Sequence, residues 1–276
     1  MKISKYISLI VFTLFFLSCE EVVNVNLDTT KPRLVIDAAI NWQNKQTEKS
    51  PQKIILSTTT DFYGNLVPKV SDAIVSIKNS ENASWTFSEG QNAGEYLCDD
   101  FTPIIGETYT LTVIYNDETY TAIETMQSVI AINPDDIRQK NDAGFSGKDY
   151  EIEVLFNDPI AENFYMVKFM PEIYKSPSFQ VIGDKFTNGN QKSWRFSDED
   201  LKQGTRIDIT HYGISEAYYN YMNKIISIAS SSAGGSPFQT PPATVRGNIV
   251  NSTDAANYAL GYFSLSEVDV KNYVIQ

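Results

Sequence analysis

Histidine occurs once in the 276 residues and cysteine twice. So few soft or imidazole ligands exclude the usual zinc centres, which draw several ligands from Cys and His. A Ser-His-Asp relay would have to use His211 as its base, yet His211 lies in IDITHYG and no G-x-S-x-G nucleophile elbow accompanies it. Nucleotide fingerprints are missing too, since Ala233-Gly234-Gly235-Ser236 has neither the lysine nor the strand-to-helix setting of a phosphate loop. His211 is read as a structural residue at a strand end. No catalytic residue, metal or cofactor is expected, and the chain is not expected to be an enzyme. Paired carboxylates for glycoside hydrolysis stay open, because their separation is a tertiary property. Basic residues are also few, 22 against 34 acids for a formal charge of -12. Phosphate backbones and anionic headgroups repel such a chain, so nucleic acid is not an expected partner. The longest apolar run, residues 7–17, is shorter than the roughly 20 residues of a spanning helix.

That run has its own meaning. Lys2 and Lys5 precede it and Ser18-Cys19 follows it, which is the layout of a secretory signal. Phe16-Leu17-Ser18-Cys19 resembles the lipobox of bacterial lipoproteins, in which the signal (residues 1–18) is cut before the cysteine and the cysteine is acylated. At roughly 0.8 kcal/mol per buried CH₂, two or three acyl chains hold firmly where one holds marginally. Cleavage removes two lysines and no acid, moving the charge from -12 to -14. Glu20 and Glu21 resemble the acidic signal that carries lipoproteins of Bacteroidota to the outer face of the outer membrane. A lipid-anchored protein facing the cell exterior is the expectation. With Cys19 lipidated, Cys98 has no disulfide partner, and its place in the alternating EYLC reads as a buried thiol.

Aromatic residues are plentiful (Tyr 16, Phe 15, Trp 3) and period-two alternation dominates. Val23, Val25 and Leu27 alternate with polar residues as a first strand. Further strands are expected over 33–40, 53–60, 73–79, 84–89, 94–98, 108–115 and 119–125, with Tyr115 to Thr119 as the last hairpin. Short strands at this spacing indicate an immunoglobulin-like or transthyretin-like β-sandwich over 19–129. Asn133-Pro134-Asp135-Asp136 reads as a capped helical turn within a linker, 130–148. A second β-rich domain, sandwich or barrel-like, is expected over 149–276, with strands at 149–158, 163–174, 192–198, 204–213, 244–251 and 258–270. Ser197 to Leu201 reads as a short capped helix, or alternatively as a carboxylate cluster for Ca²⁺. One long helix is expected over 214–229 with Ser215 as N-cap. Its stripe of Tyr218, Tyr221, Met222, Ile225 and Ala229 should cover the second sheet.

Together Cys19-Glu20, Pro32 to Asp37, Asp72 to Ile77, Gly106 to Val113, Phe156-Asn157-Asp158-Pro159, Ser215 to Tyr218, Gly235 to Phe238, Pro241-Pro242, Gly247-Asn248-Ile249 and Leu260 to Phe263 resemble, in order and spacing, domain of unknown function 4249, a family of Bacteroidota outer-membrane lipoproteins. The resemblance implies a surface accessory of a TonB-dependent transporter in ligand capture or nutrient uptake, with no family catalytic residue to carry over. A structural or assembly component of an outer-membrane complex is the alternative. For ligand contact the residues singled out are Tyr212, Tyr219 and Phe238, the last within the glycine, serine and proline tract 230–243, where it is either a plug or an exposed contact. Asp28-Thr29-Thr30 resembles the O-glycosylation triplet of the phylum, and chance accounts for it equally well.

Overall fold

Alternation of side chains builds most of this architecture. In strand β1 (Leu34–Trp42) the side chains of Leu34, Ile36, Ala38 and Ile40 are buried while Asp37 and Asn41 face solvent. The computed structural model describes residues 31–43, 50–60, 66–144, 147–183, 185, 188–232 and 244–276. After β1 come β2 (Gln52–Thr58), β3 (Ile74–Asn79), β4 (Ser84–Glu89), β5 (Glu95–Cys98), β6 (Thr108–Tyr115) and β7 (Glu118–Thr125). A 3-10 turn, Pro134–Asp136, leads into β8 (Ile137–Ala143), β9 (Asp149–Asn157), β10 (Phe164–Pro171), β11 (Ser178–Gly183), β12 (Gln191–Asp198) and β13 (Arg206–Ile214). Helix α1 (Glu216–Ser232), β14 (Val250–Asn251) and β15 (Leu260–Val274) complete the chain. The protein is mainly β, a sandwich fold with one α-helix among the described residues.

The first sandwich encloses Ile36, Ile40, Ile54, Leu56, Val75, Ile77, Phe87, Tyr96, Tyr109 and Phe263. Its aromatic centre is a set of edge-on rings, with Phe101 at 5.4 Å from Tyr109 and 5.1 Å from Trp85. The β6–β7 hairpin turns at Asn116 and Asp117, both at positive φ, as a primed two-residue turn requires. The second sandwich packs sheet β11-β10-β13-β15 against sheet β12-β9-β8 around Val154, Phe156, Tyr165, Phe169, Trp194 and Ile209. The opposite face of the larger sheet carries Met166, Tyr212, Ile214 and Val268, and α1 lays Tyr218, Tyr219 and Met222 over it.

Strand β15 belongs to both halves. Residues 260–267 run parallel to β1, and residues 268–274 run antiparallel to β13. Gln127 closes the other side of the first sandwich by donating its backbone N–H to Leu265 O and accepting from Glu267 N. Pro32–Gln276 therefore forms one compact unit. The expected linker 130–148 is corrected by this arrangement, because residues 137–143 are a strand paired with β9. The segment 149–276 does not close on itself.

Other expectations shift for local reasons. Asp198 ends β12 and its carboxylate accepts from Asp200 N, so residues 197–201 make a turn rather than a short helix. The strand expected over 244–251 is cut to Val250–Asn251. Ser215 Oγ accepts from Tyr218 N at 3.2 Å and caps α1 as expected, while the helix runs on to Ser232. Ile225 and Ala229 are exposed, so only the first turns of the expected stripe lie against the sheet. The strand Val23 to Leu27 lies outside the described residues.

The parallel pairing of β1 and β15 depends on Gly261. At φ +96 it occupies backbone space that L side chains avoid, and a Cβ there would stand 2.0 Å from Ile36 O. Gly261→Ala is expected to lower unfolding free energy by about 3 kcal/mol or to prevent folding. Urea titration checks this, and a loss below about 0.5 kcal/mol, the scatter of neutral surface changes, would contradict it.

Candidate ligand groove

The outward face of β1 sits between β15 and β2, and the register sets Ile55, Asp37 and Tyr262 in one cross-strand row. Inward neighbours Ile36 and Phe263 anchor the strands, so Asp37 and Tyr262 project away from the core. At the far end of β1, Asn41, Trp42 and Gln43 meet Gln52 and Lys53 of β2. Together with Asp37 they line an open groove of about 320 Å³. Trp42 packs partly on the first core, and Lys53 is held by Glu95 at 3.5 Å. The lining includes one indole, the amides of Asn41, Gln43 and Gln52, the Lys53 ammonium and the Asp37 carboxylate, which has no ion pair among the described residues. That chemistry binds neutral, hydroxyl-rich or amide-bearing ligands by hydrogen bonds and ring stacking, the usual make-up of a small-molecule site.

Beside Asp37 stands a tyrosine cluster. Tyr262 lies 4.8 Å, ring to ring, from both Tyr218 and Tyr221 of α1. Burial, with Asp37 adding to it, pushes the Tyr218 and Tyr221 hydroxyls above the usual phenol range. Glu124 of β7 is buried here; its carboxylate accepts from Thr125 N at 2.9 Å and from Ser215 Oγ at 2.9 Å. Burial raises its pKa against those bonds. The Tyr262 hydroxyl is buried beside Glu124 without a hydrogen bond of ordinary geometry among the described residues. Residues of both sandwiches thus meet around the N-terminus of α1.

The residues singled out from sequence fall elsewhere. Tyr212 is buried under α1, and burial pushes its phenol up to about 12, so its place as a ligand contact is corrected to core. Tyr219 is half-buried with its ring 5.2 Å from Phe164. Phe238, Cys19, Glu20, Glu21 and Thr29 lie outside the described residues. Cys98 is a free buried thiol; its Sγ donates to Asp100 Oδ1 at 3.0 Å and burial pushes it up to about 11. Missed were Asn41, Trp42 and Gln43, one to three residues beyond the expected end of β1 at Ile40. Continuing the alternation Leu34, Ile36, Ala38, Ile40 would have placed Asp37 and Asn41 outward. A second groove, about 490 Å³, opens between β11 and β12. There the Tyr174 hydroxyl donates to Asp198 and Asp200, which fastens those two carboxylates as parts of a turn. Among the described residues no three His, Cys, Asp or Glu are grouped to hold a metal ion.

A family model described as "Domain of unknown function (DUF4249)" matches residues 20–272. No match was found among curated proteins. Among solved structures, a two fibronectin type-III domain segment from chicken tenascin is 11% identical, covers 66% of this chain and 90% of its own, and has a TM-score of 0.23. The FN1–FN3 domains of chicken CNTN1 are 14% identical over 67% of this chain and 60% of theirs, with a TM-score of 0.22. Chicken interferon gamma receptor alpha chain gives 12%, 66%, 88% and 0.21 respectively.

His211 is a core residue, but it lies inside β13 and not at the strand end expected from sequence. Its Nδ1 donates to Ile130 O at 3.0 Å, and its ring is enclosed by Phe156, Tyr165 and Trp194. Nε2 is buried with no hydrogen-bond partner among the described residues, and burial pulls the imidazole down to about 4. The unfolded chain takes up its proton near pH 6.5 and the folded chain only near pH 4, so His211 costs nothing above pH 6.5. Its contribution to stability falls by about 3 kcal/mol as pH drops through that window. Urea titrations from pH 7 to pH 4 should show a steeper loss in the native chain than in His211→Gln. Parallel losses would contradict the reading.

Proposed function

This chain belongs to the DUF4249 family, and from that premise we propose that it is a non-catalytic lipoprotein of the outer membrane. Cys19 carries the lipid, and Glu20 and Glu21 direct it to the cell exterior. There it captures or delivers a small ligand beside a TonB-dependent transporter. The observation that carries the ligand role is the open groove at Asp37, Asn41 and Trp42. Its lining offers hydrogen bonds, a ring face and the Asp37 carboxylate, while the one histidine is sealed in the second core.

A second reading, a structural or assembly component, is favoured by one surface. Ile74 and Ile114 face each other across β3 and β6, and Ile123 and Val250 continue the same outer face over β7 and β14. Ile74, Ile123 and Val250 are 62%, 65% and 60% exposed, with Thr110, Thr112 and Thr121 between them. An apolar face of this kind marks a docking surface.

Affinity purification from native outer membranes tests the proposal. Recovery of a TonB-dependent transporter is expected, and its absence from a stable preparation of the lipidated chain would contradict the reading. Asp37→Ala with Asn41→Ala should abolish uptake while leaving co-purification intact. Ile74→Ser with Ile123→Ser should do the reverse if the protein only assembles its partner.

A further inference from the structure

The chain holds five arginines. Arg195 and Arg206 are tied to Glu153 and Asp208 at 2.7 and 3.1 Å. Arg33 and Arg246 are spent differently. Their Cζ atoms stand 3.8 and 3.6 Å from the centroid of one ring, that of Tyr258. Two guanidiniums that close to one centroid must take opposite faces, which leaves them about 7 Å apart. Neither has a carboxylate within ion-pair distance among the described residues.

We propose that Arg33 and Arg246, clamped on the two faces of Tyr258, form a phosphate-binding site at the root of the fold. Two cations held across one ring repel each other, and the ring's quadrupole only partly offsets that repulsion. A phosphate group at the ring edge, bridging or lying beside the guanidiniums, turns it into attraction. Arg33 Nη1 is used by Ala256 O and Tyr258 O at 3.3 and 3.4 Å, which leaves Nε and Nη2 to donate. Arg246 is exposed with no hydrogen bond among the described residues, so its whole donor edge is available. Stacking fixes both planes before any anion arrives, and that order is what a flexible surface arginine lacks.

The overall charge of -12 does not forbid this. At physiological salt charges are screened over about 8 Å, so the site responds to its close neighbours and not to acids elsewhere on the surface. Phosphate could come from a soluble ligand or from a lipid headgroup. The headgroup source rests on the proposed anchor, because Arg33 follows Cys19 by only fourteen residues, roughly 50 Å of chain at full stretch. The phosphate chemistry itself does not rest on it.

The full chain carrying Cys19→Ser, titrated calorimetrically with sodium phosphate against sodium chloride at equal ionic strength, reads the site without the anchor. Arg246→Gln should weaken phosphate binding at least tenfold while leaving thermal unfolding unchanged, since Arg246 is exposed. Tyr258→Leu, which keeps both charges and removes the clamp, should weaken it comparably. Flotation with phosphatidylcholine vesicles, with and without phosphatidylglycerol, separates the sources. Binding lost in Arg246→Gln assigns the headgroup, whereas phosphate binding without flotation assigns a soluble ligand. No phosphate binding, or binding within twofold of the parent in Arg246→Gln, overturns the proposal whatever becomes of the anchor.

Discussion

The pairing of the last strand with the first governs everything else in this molecule. β15 is fifteen residues long, roughly 50 Å at 3.3 Å per residue, and no single sandwich could use all of it. Its first half completes the first sandwich beside β1 and its second half completes the second beside β13. A parallel pair needs a long crossover, and here the crossover is nearly the whole chain. Folding must therefore close a loop of more than two hundred residues before either core is finished, a topology of high contact order and slow closure. Gly261 is the cost of that closeness, a residue without a side chain where Ile36 O approaches.

The same weld braces β1, the strand that lines the candidate groove together with β2. Asp37 and Asn41 come from the first sandwich, while Tyr218 and Tyr221 arrive on a helix whose N-cap Ser215 is itself fastened to Glu124 of β7. A buried carboxylate is expensive unless it is well bonded, and Glu124 accepts from Thr125 N with one oxygen while the other holds Ser215 at the helix start. The α1 rings pack on Tyr262, the β15 neighbour of Asp37, and side chains of β1 and β2 line the groove itself. A groove on strand β1, braced this way, is positioned more rigidly than one carried by loops alone.

Much of the fold was legible because it rests on period two. Strands whose inner residues are Ile, Leu, Val or aromatic, as in β1, β6 and β13, declare themselves. β8 did not, because IRQKNDA is an edge strand with polar side chains on both faces and a bulge between Lys140 and Ala143. β11 was missed because all six of its residues are half-buried, so nothing alternates. The division into domains was misplaced for a different reason: pairing between residues 260–267 and 35–42 is nonlocal and leaves no local trace. The candidate site suffered most. Tyr212 is as aromatic in sequence as Tyr221, and only the tertiary packing under α1 buries the one and leaves the other half-buried.

Cooperative unfolding tests the weld most directly. Trp85 packs in the first sandwich and Trp194 in the second, so variants retaining one or the other report each half by fluorescence. Coincident midpoints and slopes in urea are expected, because neither core survives loss of β15. Two separated transitions, with Trp194 still buried after Trp85 is released, would contradict the account.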